Sequence, residues 1–161
     1  MFASDPNGEC QSRQVLLRDL VDALDFLKDI HRKLKRLFDR ADRTHRFSDK
    51  KAIFKQIKRD LAVHARIEEG ILFPAIESHE QVKHIVIESY KTHKHVDLLL
   101  RGIDALVFED KPCDPELTIL RETVCQANKQ EEKTIFPQIR ELLDEQTRKD
   151  IGRQFEIAID G

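Results

Sequence analysis

The segment His64-Ala-Arg-Ile-Glu68-Glu69-Gly-Ile-Leu-Phe73-Pro74-Ala-Ile76 recurs as Ala127-Asn-Lys-Gln-Glu131-Glu132-Lys-Thr-Ile-Phe136-Pro137-Gln-Ile139. Both copies keep the Glu-Glu pair, an apolar residue before Phe, the Phe-Pro dipeptide and a closing Ile. The first copy has His four residues before its first Glu, where the second has Ala. On a helix, residues four apart lie one turn above each other on the same face. His64 and Glu68 can therefore grip one metal ion together. The repeat predicts a metal-binding helical bundle with a lopsided site.

Apolar periodicity extends this reading in both directions. From about Ser12, Leu17, Leu20, Leu24, Leu27, His31, Leu34, Phe38 and Ala41 follow steps of three and four, the mark of a helix burying one stripe. Ser48 is the expected cap of a second helix, whose stripe is Ile53, Ile57, Leu61, His64, Glu68, Ile71 and Ala75, with Pro74 kinking its last turn. A third helix begins near Glu80 and carries Val82, Val86, Ser89, His93, Val96, Leu100, Ile103 and Val107. Glu109–Pro115 reads as a loop. A fourth helix carries Leu117, Leu120, Val124, Ala127, Glu131, Thr134 or Ile135, Gln138 and Leu142. The expected fold class is all-α, an up-down-up-down antiparallel four-helix bundle over residues 12–146. Residues 1–11 read as a disordered N-terminus, and residues 147–161 as a short helical tail.

Each seam is interrupted near its middle by a polar residue. His31, His64 with Glu68, His93 and Glu131 occupy stripe positions otherwise filled by Leu, Ile and Val. A single such His is more often a hydrogen-bonded core residue than a ligand. Five of them at similar depth on four helices are harder to explain separately, because a buried carboxylate needs a partner or a metal. Imidazole with carboxylate suits iron, manganese or zinc, and carboxylates can bridge two ions. His45, His79, His84 and His95 fall off the stripes or near helix ends and read as surface residues. His95 would replace His93 if the third helix were rotated.

The remaining composition narrows the function class. The 161 residues are 36% charged with a formal net charge of −2, unlike the strong basicity of most nucleic-acid binders. The basic run from His31 to Arg36 is flanked by Asp29, Asp39 and Asp42 and reads as a solvated face. Cys10, Cys113 and Cys125 fit neither a disulfide framework nor a zinc knuckle. No apolar run nears the roughly 20 residues that cross a bilayer, and no secretory signal is evident, so the cytoplasm is expected.

The pattern resembles the hemerythrin-like HHE cation-binding family from about Val15 to Leu143. The most specific parts are His64-x-x-x-Glu68-Glu69 with Phe73-Pro74, and the degenerate copy ending in Glu131-Glu132 and Phe136-Pro137. The resemblance implies a four-helix bundle around a non-haem di-iron centre, with His31, His64, Glu68, His93 and Glu131 as metal ligands and the two Glu as bridges. The family's fourth-helix His is replaced by Ala127, which leaves a mononuclear centre open, with manganese or zinc as lesser alternatives to iron. Asn128 or Tyr90 stand near enough to be considered as substitutes. What the resemblance implies is binding or sensing of oxygen, nitric oxide or peroxide, or a part in iron and oxidative-stress handling, rather than an enzyme. The expected partner is a diatomic ligand or peroxide at the metal, with no nucleic acid and no membrane; a homodimer is left open. The alternative is a helical interaction module whose metal site has partly or wholly decayed.

Overall fold

The computed structural model describes residues 21–161. The proposed disordered N-terminus and the expected helical turns around Leu17 and Leu20 lie outside these residues. Among the described residues all regular structure is helical: α1 (Ala23–Arg43), α2 (Phe47–Ile67), α3 (Glu80–Phe108), α4 (Asp114–Leu142) and α5 (Glu145–Asp160). α2 runs on through a π-helical segment (Glu68–Leu72) into one further α-turn (Phe73–Ile76). No described helix is long and apolar enough to cross a membrane.

α1 starts at Ala23 rather than near Ser12. Asp22 has extended backbone, and its side chain accepts the Leu24 N–H at 2.8 Å, a cap that satisfies one of the free donors of the first turn. The expected stripe is buried from Leu24 through Leu27, His31, Leu34 and Phe38 to Ala41. α2 starts one residue before Ser48, after an extended Arg46, and makes no side-chain cap bond. The third loop is shorter than expected, because α4 begins at Asp114 with Pro115 in its first turn, where a missing N–H costs nothing.

The largest departure lies at the end of α2. The Phe73 N–H bonds to the Glu68 carbonyl, five residues back, instead of four. Pro74 has no N–H to continue the α-helical ladder, so the chain widens by one residue just before it. That extra residue turns the following stripe. Leu72, Phe73 and Ile76 are buried, while Ile71 is half-buried and Ala75 exposed. Toward the end of α4, Ile135, Phe136 and Ile139 are buried, with Gln138 and Leu142 only partly covered.

Two apolar clusters lie on either side of a polar layer. One gathers Leu34, Phe38, Ile57, Leu61, Leu100 and Leu120. The other gathers Leu27, Ile67, Phe73, Val82, Phe136 and Phe155. α5 is thus more than a covering tail, since Phe155 and Ile151 enter the second cluster. The Arg148 Nε donates to Asp22 Oδ2 at 2.7 Å, tying α5 to the cap of α1. Gly152 makes the approach possible, because a Cβ there would stand 2.2 Å from the Val21 carbonyl oxygen.

Cross-helix pairs fix which levels of the helices meet. Lys33 pairs with Asp60 between α1 and α2, Lys58 with Asp104 between α2 and α3, and Arg121 with Asp39 between α4 and α1. These pairs, exposed or only partly buried, add little stability individually.

Candidate metal centre

Between the two apolar clusters, each of the four long helices brings one His or Glu inward, and the π-helical segment after α2 adds Glu68. His31 and His64 are 6% and 5% exposed, and Glu68 is fully buried. Glu131 and His93 are nearly so, with side chains 10% and 14% exposed. His31, His64, Glu68 and Glu131 each offer a ligand atom, all within 4.8 Å of one another. His93 joins them through Glu68, its Nε2 lying 3.0 Å from Glu68 Oε2. All five residues singled out by the sequence therefore converge.

Glu68 occupies the middle of this group. Its Oε1 is 3.2 Å from His64 Nε2, and its Oε2 faces His93. Neither contact has hydrogen-bonding geometry, so both Glu68 oxygens, and Glu131 Oε1, are buried without a hydrogen bond. Such atoms are costly to bury unless something else binds them. The His31 and His64 Nε2 atoms lie 2.9 Å apart. Nitrogen ligands sit about 2.1 Å from a divalent ion such as zinc, so neighbouring ligands on one ion stand roughly 3 Å apart. Orphaned carboxylate oxygens, converging imidazoles and a nitrogen–oxygen donor set all fit a first-row metal ion.

The proton equilibria follow from this crowding. Burial pushes the Glu68 carboxyl up to about 7, with the Glu69 charge adding to the rise and the Glu131 contact opposing it. Burial, then repulsion from Glu68, drives Glu131 well above the usual carboxylate range. Burial and the neighbouring His31 and His93 hold His64 well below its ordinary value. A bound cation would reverse the carboxylate shifts by favouring their ionised forms.

Two further residues complete the layer and escape a reading of helix stripes. His31 Nδ1 lies 2.8 Å from Glu132 Oε1, and His93 Nδ1 lies 2.7 Å from Glu69 Oε1. The second Glu of each repeated pair thus reaches to a histidine of the neighbouring helix. A carboxylate there fixes the imidazole with Nδ1 protonated and Nε2 free to bind a metal. The repeated Phe serves the same rings: Phe136 stacks on His31 and Phe73 on His93, with interplanar angles of 15° and 20°. The doubled Glu and the shared Phe were the signal in the sequence, since both recur in the two copies.

The symmetry fails at Ala127. A cavity of about 440 Å³ between α2, α3 and α4 is lined by Ala127 and Asn128 together with His64, His93 and Glu131. Tyr90 packs its ring edge-on against Phe73. His45, His84 and His95 are exposed, and His79 is half-buried at the start of α3. Cys113 is buried and Cys125 half-buried, both as free thiols in or against the Leu34 cluster.

The family model of the hemerythrin HHE cation binding domain matches residues 22–139. No curated protein and no solved structure matches the chain. The chain belongs to the hemerythrin HHE cation-binding family.

Proposed function

We propose that this member of the family is a non-haem iron protein that binds or senses oxygen, nitric oxide or peroxide, and that His31, His64, Glu68, His93 and Glu131 hold its iron. The observation that carries this reading is the fully buried Glu68 carboxylate, whose two oxygens lack hydrogen bonds and face different histidines. A carboxylate so placed is suited to bridge two ions, which favours a dinuclear over a mononuclear centre, and membership of the HHE cation-binding family favours iron over manganese or zinc. When bound, iron supplies an open coordination position and redox chemistry that these side chains lack.

The chain's own residues do the rest. Glu132 and Glu69 hold the His31 and His93 rings and set their tautomers. Phe136 and Phe73 limit the tilt of the same rings. The apolar clusters above and below confine water access to the side where the cavity beside Ala127 opens. Among the described residues, the titratable groups in contact with the cluster are its own ligands and the Glu69 and Glu132 that orient them, an arrangement that suits binding or sensing better than catalysis. We further propose an up-down-up-down order for α1 to α4 of the bundle. The partner numbers of the cross-helix pairs support this, since they fall on one helix as they rise on the next. A cytoplasmic location and a role in stress or iron handling complete the proposal.

Metal analysis of purified wild-type and Glu68→Ala protein tests it. Wild-type protein retains iron through dialysis and Glu68→Ala loses most of it; equal metal in both would remove Glu68 from the site.

A further inference from the structure

We propose that the cavity beside Ala127 binds a small, neutral nitrogen heteroaromatic carrying an aliphatic substituent, its ring nitrogen taking the ligand position that Ala127 leaves without a donor. The inference rests on the metal reading above and names what the open position would admit. The repeat defines the missing chemistry, since Ala127 stands to Glu131 as His64 stands to Glu68. An imidazole-type nitrogen is therefore what the fourth helix lacks.

The cavity is too large for that donor alone. Its 440 Å³ runs from His64, His93 and Glu131 past Ala127 toward the surface. A water takes about 30 Å³ of liquid, and small-molecule pockets begin at about 300 Å³. The walls beyond the ligands are Leu61, Val96, Leu100 and Val124, which suit an aliphatic body. Asn128, 9% exposed, lines the same space, and its amide can donate to or accept from a second ring heteroatom.

Charge argues against an anion. Glu88, Asp97, Asp104 and Glu131 line the cavity, against Lys58 and Arg101. Both cations are already engaged, Lys58 with Asp104 and Arg101 with Asp97. Away from the metal, a carboxylate or phosphate would have to pass Glu88, Asp97 and Asp104 and compete for their ion pairs, whereas a neutral ring would not.

The test is binding of imidazole, 1-butylimidazole and hexanoate to anaerobic, iron-loaded protein. Equilibrium dialysis and the shift in thermal midpoint are the readouts, and iron is assayed in every sample. Each buried methylene should tighten binding about fourfold, so 1-butylimidazole should bind at least about tenfold more tightly than imidazole. Hexanoate should bind more weakly than 1-butylimidazole. Ala127→His, which supplies the donor from the chain, should keep its iron and lose 1-butylimidazole binding. Equal affinity for the two azoles, undiminished binding in Ala127→His, equal binding to metal-free protein, or a preference for hexanoate would each overturn the proposal. A protein that holds no iron overturns both this and the metal reading. Iron retained with flat azole affinities overturns the pocket alone.

Discussion

The two copies of the Glu-Glu and Phe-Pro segment do the same work from opposite sides of the centre, and differ in two places. In each, the first Glu points inward, the second holds a histidine of a neighbouring helix, and the Phe stacks on that histidine. The first copy also supplies His64 and opens into a π-helical segment; the second supplies Ala127 and remains α-helical through Pro137. Glu68 is fully buried and reaches two histidines, whereas Glu131 keeps 10% exposure and approaches His31 only at 3.8 Å. What the difference teaches is that both repeats scaffold a half-site in the same way, and that the copy with Ala127 in place of a His borders a cavity while the rest of the group stays together.

The largest expected effect separates the two inward carboxylates. Glu68→Ala should weaken iron binding by more than about a hundredfold, since it removes contacts to two rings and leaves a buried polar void. Glu131→Ala should cost less; equal losses in a metal-competition titration would mean that the halves are energetically alike.

A second contrast concerns the metal-free protein. Glu68 titrates near 7 when folded against an ordinary 4.5, so its contribution to stability is full below pH 4.5 and is lost as pH rises through about 7. Glu68→Gln escapes that loss. At pH 8, without metal, it should be more stable than wild type by about 3 kcal/mol, and at pH 4 the two should be alike. His64 runs the other way, since its depressed value makes its contribution present above 6.5 and lost on acidification, but it is common to both proteins. Denaturant titrations at the two pH values check this; a pH-independent difference would place Glu68 in a solvated setting.

Next come the outer carboxylates. Glu69→Gln and Glu132→Gln should each lower iron affinity about tenfold, the usual cost of losing a carboxylate behind a ligating histidine. Similar losses would show that the two halves are scaffolded alike, and a loss in only one would break the symmetry. The smallest effect is a gain: Ala127→His should raise iron toward about two ions per chain under dialysis that takes wild type below that number.

Much of this was legible in the sequence because helix periodicity reports which face of its own helix a residue occupies. That was enough to align His31, His64, Glu68, His93 and Glu131 with the buried stripes. It could not show Glu69 and Glu132, which stand off those stripes and act by reaching across to another helix. Nor could Pro74 reveal the π-helical segment. A proline signals a break in the ladder, but whether the chain kinks or inserts a residue depends on packing, here the burial of Leu72, Phe73 and Ile76. The start of α1 was obscured because Leu17 and Leu20 extend the same spacing past the Asp22 cap. The insertion of Phe155 depends on Gly152, whose close contact with Val21 no periodicity encodes.

The most direct test of the central claim is iron content per chain, measured on anaerobically prepared protein, with a visible spectrum before and after admitting air. The account predicts at least about one firmly held iron per chain and a spectrum that changes with oxygen. Protein that holds no iron and shows no change in air would contradict it, and would leave a helical interaction module with a decayed metal site.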